Sequence, residues 1–188
     1  AQKYTQKGQL QKAIKQYEKI ISADPSDTRS YLKIAELYAK IGNKELAITN
    51  YQEAAETYSN QGYYLKSIAV FKQILVIAPE KIELNLVLGD LYRQMGLLSD
   101  ALVYYQQAAF SYENAGRIRD AFDILKKIID LDSTNIPSRL KLAELYSKEN
   151  MVDKAVAQFM EAADFLKKEN RTSDYVKVIE RVLFHTPE

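Results

Sequence analysis

Apolar side chains recur at helical spacing along the whole chain, and no stretch alternates in the manner of a strand. In "SYLKIAELYAKI", Leu32, Ile34, Ala35, Leu37 and Tyr38 fall on one broad face, which predicts a helix over about Ser30–Ile41. A longer amphipathic run predicts a second helix over about Lys44–Asn60, and "YYLKSIAVFKQILVI" a third over about Tyr63–Ile77, stopped by Pro79. The same order returns as Ile82–Met95, Ser99–Asn114 and Arg117–Leu131, then as Pro137–Glu149, Asp153–Glu169 and Ser173–His185. One further helix, about Gln9–Ser22, precedes Pro25. The expectation is an all-α chain of about ten helices.

The pattern returns at one fixed offset, three helices to a unit. Residues 27–80 and 81–134 are identical at 14 of 54 positions, among them Leu37/Leu91, Tyr38/Tyr92, Ala47/Ala101, Tyr51/Tyr105 and Ala55/Ala109. Residues 135–188 form a third unit, and 1–26 match the end of a unit. The most repetitive stretch, Glu45–Gly62, recurs as Asp100–Gly116 and Lys154–Asn170. A fixed period without strand pattern predicts one helical solenoid across 1–188. A start inside a repeat predicts that the chain is cut from a longer array.

Glycine marks the helix ends. Gly42 and Gly96 follow the first helix of their units, with Asn150 at that phase in the third. Gly8, Gly62 and Gly116 follow the long helix, with Asn170 in the third. A left-handed residue closing a helix is best glycine and next best asparagine. Gly89 stands where Ala35 and Ala143 stand, at a position that calls for a small side chain between packed helices.

Composition narrows the function. Lys plus Arg is 26 against 25 acids, a net charge of +1, which lacks the basic excess of a nucleic-acid binder. No cysteine and a single histidine, His185, exclude disulfides, thiolate metal sites and His-rich metal sites. No Gly-rich phosphate loop, H-E-x-x-H, cysteine nucleophile or glycine-flanked serine is present, so no catalytic residues, metal ligands or cofactor are assigned and no enzyme is expected. No apolar run reaches the roughly 20 residues that span a bilayer, and the start "AQKYTQKGQLQK" is polar. The chain is therefore placed in the cytoplasm, without direct membrane insertion.

The residues resemble the tetratricopeptide repeats, a 34-residue helix–turn–helix with W-x2-L-G-x2-Y, A-x3-F and P. "YLKIAELY" (Tyr31–Tyr38), "NLVLGDLY" (Asn85–Tyr92) and "RLKLAELY" (Arg139–Tyr146) match its first part. Ala47/Tyr51, Ala101/Tyr105 and Ala155/Phe159 match its second, and Ser67, Phe71, Ile74 and Pro79 match it again. The spacing departs from the family. Ala13 to Ala47 is one full family period, as is Ser67 to Ala101, but Ala47 to Ser67 falls well short of one. The long helix thus serves two overlapping helix pairs. Its "YQEAAETYSNQG" text is also similar to the helical-hairpin adaptors of the soluble NSF attachment type.

The resemblance implies a right-handed superhelical α-solenoid with a concave groove, acting as a non-catalytic scaffold for a partner peptide or protein. Carried over by phase, the groove residues are Arg29, Leu32, Glu36, Ala39 and Lys40; Glu83, Leu86, Asp90, Arg93 and Gln94; and Pro137, Leu140, Glu144, Ser147 and Lys148. A leucine and an acid recur in each set. Either they form a ladder for an apolar side chain beside a basic group, or the acids simply solvate a helix face. Acids at that position argue against a grip on a free carboxylate. Among 14 tyrosines, Tyr38/Tyr92/Tyr146 and Tyr4/Tyr58/Tyr112 read as packing, whereas Tyr63, Tyr64 and Tyr104 break the pattern and are candidates to face a partner. The alternative functions are self-assembly, with array ends stacking on other copies, or a helical-hairpin adaptor of the soluble NSF attachment type.

Overall fold

The computed structural model describes residues 1–186, so the last two positions of the third repeat unit lie outside the described residues. Eleven helices and no strand occur among them: α1 (Gln2–Gln6), α2 (Leu10–Ala23), α3 (Thr28–Lys40), α4 (Lys44–Asn60), α5 (Tyr64–Ile77), α6 (Glu83–Gln94), α7 (Leu98–Asn114), α8 (Ile118–Leu131), α9 (Ile136–Lys148), α10 (Val152–Lys168) and α11 (Thr172–His185). The bounds of α4, α7 and α10 recur at the offset of the sequence units, and so do those of α5, α8 and α11. The eleventh helix is α1, which corresponds in phase to the last turn of a long helix. It is one more than the ten expected.

Local chemistry sets the ends. α3 begins two residues earlier than its apolar pattern suggests, because Ser30 Oγ donates to Asp27 Oδ2 at 2.6 Å and closes the first turn. The Asn43 side chain accepts from the Leu46 N–H at 3.0 Å, and Asn135 accepts from the Ser138 N–H at 3.1 Å, each satisfying one orphan donor. At the end of α4 the Tyr63 N–H reaches the Tyr58 carbonyl and the Gly62 N–H reaches the Ser59 carbonyl, at 2.8 and 2.9 Å. Gly62 sits at φ +79° to allow this paired closure. Asn170 makes the same closure after α10 at φ 58°.

Two compact units result, Ala1–Leu98 and Ser99–Glu188. In the first, α2 and α3 bury Ala13, Ile14, Tyr17, Ile34 and Leu37 against one another, with Tyr38 beside them. α4 packs against both α3 and α5. Its buried Ala47, Ala54 and Ala55 present little more than backbone, which lets two neighbours approach closely. Polar ties fix these layers: Gln73 Nε2 donates to the Tyr51 hydroxyl at 3.0 Å, and Lys44 pairs with Glu80 at 3.2 Å.

In the second unit α10 repeats that role between α9 and α11, burying Ala155, Phe159, Ala162, Ala163 and Leu166. The Phe122 and Tyr146 rings meet at 4.6 Å where α8 packs on α9. Arg139 is buried on α9. Its guanidinium donates to Gln158 at 3.1 Å, to the Ser133 carbonyl at 3.2 Å and to Glu161.

Candidate functional site

The second unit holds a trough of about 260 Å³ with walls from α7 and α9 and a floor from α8. α7 brings Gln106, Ala109, Phe110 and Glu113; α8 brings Leu125; α9 brings Pro137, Ser138, Lys141 and Leu145. Helical spacing places the α7 residues on one face, since they lie three or four positions apart. Leu125 and Leu145 are buried, but Phe110 is 62 % exposed. No packing rule demands an aromatic there: the same phase holds Gln2, Glu56 and Asp164 in the other repeats.

Charge at the rim is unequal. Glu113, with a side chain only 14 % exposed, accepts from Lys141 at 2.7 Å and from Lys148 at 3.2 Å. Burial raises its carboxyl pKa, but the two lysine hydrogen bonds outweigh that and hold it below the ordinary carboxylate range. One carboxylate thus faces two ammonium groups, leaving a surplus positive charge beside an apolar floor.

The first unit has a hollow at the same repeat phase, about 400 Å³, lined by Gln2, Thr5, Gln6, Tyr17, Lys33, Glu36, Leu37 and Lys40. Gln2, Thr5, Tyr17, Lys33 and Leu37 stand two periods before Phe110, Glu113, Leu125, Lys141 and Leu145. One backbone frame therefore carries an apolar lining in one unit and a polar lining in the other.

The residues expected to line a groove divide along these hollows. Glu36 and Lys40 line the first-unit hollow, where Glu36 is held by Lys33 at 2.8 Å. Arg29 is exposed and Leu32 half-buried on α3; on α6, Glu83 and Arg93 are exposed and Leu86 and Asp90 half-buried. Leu140 is half-buried on α9, and Pro137 lines the trough. Glu144, Ser147 and Lys148 line another hollow, about 650 Å³, with Phe159, Arg181, Phe184 and His185. Glu144 is paired there with Arg181, and Ser147 Oγ lies 2.9 Å from His185 Nε2. Two acids of the expected ladder, Glu36 and Glu144, thus already hold cations of this chain.

Sequence phase alone missed the contribution of α7. The signal was present: an aromatic at a position that is otherwise polar. Among the tyrosines, Tyr112 and Tyr146 are buried, Tyr64 and Tyr104 half-buried, and Tyr63 is 52 % exposed. Among the described residues no cluster of His, Cys, Asp or Glu could hold a metal ion, and no helix is long and apolar enough to cross a membrane.

Comparison with known families gives three matches: a TPR repeat over residues 1–42, and a tetratricopeptide repeat over 29–60 and again over 82–109. No curated protein sequence matches the chain. Among solved structures it is similar to MamA, at 19% identity over 90% of this chain and 95% of that one, with a TM-score of 0.32. It is similar to YrrB, described as a TPR protein with an unusual peptide-binding site, at 18% identity over 79% and 91%, with a TM-score of 0.33. It is also similar to BtubC (BKLC) from P. vanneervenii, at 12% identity over 95% and 89%, with a TM-score of 0.43. Likeness at this level leaves the partner to be argued from the chain's own residues. The three family matches, on an all-α chain whose helices recur at a fixed period, mean that this chain belongs to the tetratricopeptide repeat family, whose members serve in general as non-catalytic scaffolds for protein interaction.

Proposed function

We propose that this chain binds a segment of a partner protein in the trough between α7 and α9, seating a bulky apolar side chain against Phe110, Leu125 and Leu145. The observation that carries this reading is Phe110, 62 % exposed at a phase that is polar in every other repeat. A large exposed apolar group beside a buried floor is the ordinary make-up of an interaction hot spot. The surplus ammonium charge at Lys141 and Lys148 favours a carboxylate flanking the anchor. This replaces the basic flank expected from the acid ladder. The groove residues of α3 and α6, Arg29, Leu32, Glu36, Lys40, Glu83, Leu86, Asp90 and Arg93, belong to the first unit and remain candidates for weaker contacts with a partner there.

A photo-crosslinking amino acid placed at position 110 in the cell that makes the protein tests this. A discrete crosslinked protein at position 110, absent when the probe stands at the same-phase Glu56, is the expected result. No adduct at 110, or equal adducts at both positions, would contradict the reading.

Self-association is a second reading with an observation of its own. The face of α8 that α9 covers includes Phe122, 7 % exposed; the same phase of α11 carries Val176, 48 % exposed, followed by Leu183 and Phe184. Such an open face suits stacking between copies. Light scattering across a concentration range should then show growth in mass, and a strict monomer would remove this reading.

A further inference from the structure

A different apolar surface lies on the first unit, at the turn joining α4 to α5. Gly62, Tyr63, Tyr64, Leu65 and Lys66 surround a hollow of about 340 Å³ together with Met95 from the end of α6. Tyr63 is 52 % and Leu65 66 % exposed. The fold does not require them. At the phase of Tyr63 the other repeats carry Gln9, Arg117 and Arg171, and at the phase of Leu65 they carry Gln11, Arg119 and Ser173. The same turn therefore folds with polar side chains in its other copies. Leu97 and Leu98 follow Met95 and are 41 % and 40 % exposed.

The one charged residue that lines the hollow is a cation, Lys66. Residues 57–66 and 91–98 contain no Asp or Glu, and they contain Lys66 and Arg93. The Lys66 ammonium stacks over the Tyr63 ring at 4.4 Å and the Tyr58 ring at 5.4 Å, and those rings meet edge to face at 6.3 Å. An aromatic face leaves the cation's charge largely uncompensated. Tyrosine, leucine and methionine around a positive rim match an apolar anchor bordered by carboxylates.

We propose that this edge is a second docking surface, independent of the trough at Phe110, and that it takes an acidic protein segment through one apolar side chain seated among Tyr63, Leu65 and Met95. A carboxylate of that segment pairs with Lys66.

Titration of the isotope-labelled protein, followed by amide NMR, tests this with the peptide DDLLDD, its charge reversal KKLLKK, and vesicles of phosphatidylcholine with phosphatidylglycerol. Saturable shifts confined to residues 62–66 and 95 are expected with DDLLDD. They should weaken as salt rises from about 0.05 to about 0.5 M. Leu65→Arg, which installs the residue type found at Arg119, should weaken binding by about tenfold or more, a loss of hot-spot size. Tyr63→Gln, which installs the type found at Gln9, should act likewise and serves if the first variant folds poorly. Phe110→Glu should leave this binding unchanged. Equal shifts with KKLLKK, a response to vesicles but not to DDLLDD, or full binding by the folded variants would overturn the proposal.

Discussion

Glu113 is the residue on which the trough's electrostatics turn. Its carboxyl pKa is held low in the folded chain, so its contribution to stability is complete above the unfolded carboxyl value of about 4.3. That contribution is lost as pH falls through the lowered folded value. Glu113→Gln should therefore flatten the fall of stability with pH below about 4.5, and it should free Lys141 and Lys148. Acid titration of the thermal midpoint for both proteins checks this; superimposable curves would mean that the pair of lysines does not hold the carboxylate.

Arg139 makes a separate prediction. Its phase-mates in the first unit are Tyr31 and Asn85. Replacing a buried ion pair by a well-packed apolar group is often neutral. Its carboxylate partner Glu161, 53 % exposed, can return to water. Arg139→Tyr should keep the melting temperature within a few degrees. Arg139→Ala, which leaves space on α9, should cost about 2 kcal/mol. Calorimetry separates them. The leucines and alanines of this core were legible in the sequence because burial follows period. The Lys33–Glu36 pair was open to view as an i,i+3 spacing on one helix, but the pair of Glu144 with Arg181 was not, because a partner two helices away has no signature in local spacing.

The long helix is the element that gives each unit three helices where two family repeats would have four. α4 and α10 each touch two neighbouring helices along their length, as expected when one helix serves two overlapping pairs. Its closure depends on a left-handed residue. Gly62 has φ +79° and open space where a Cβ would point, so a substitution there meets backbone strain and no steric clash. Gly62→Val should cost about 1–2 kcal/mol, or about 2–8 °C in Tm for a chain of this size. Gly62→Asn should cost less, since Asn150 and Asn170 adopt φ 58° in this chain. Equal losses for the two variants would place the cost outside the turn. Turn chemistry of this kind was readable directly from the sequence. The starts of the expected helices were readable within one residue except at α3, which begins two residues before its apolar pattern, where Ser30 Oγ donates to Asp27 Oδ2.

At the scale of the molecule the repeat supplies a frame and its exceptions supply chemistry. The period anticipated the helix order, yet it says where a pattern restarts and not where contacts are densest; the two compact units meet at Leu98 and Ser99, inside a repeat unit and not at its edge. The same averaging hid the trough. Phase analogy directed attention to the first helix of each unit, whereas α7 supplies four of the nine residues that line it. Phe110 and Leu65 stand out only when each is compared with its own phase-mates. Where other copies fold with Gln, Glu, Asp, Arg or Ser, the fold does not call for an exposed aromatic or leucine.

The most direct measurement is the affinity of the protein crosslinked at position 110 for the wild-type chain and for Phe110→Glu, with melting temperatures taken in parallel. The substitution installs the residue type present at Glu56, so the fold should tolerate it. The account predicts a loss of affinity of about tenfold or more with the melting temperature unchanged. Undiminished affinity, or a loss that merely follows unfolding, would contradict it.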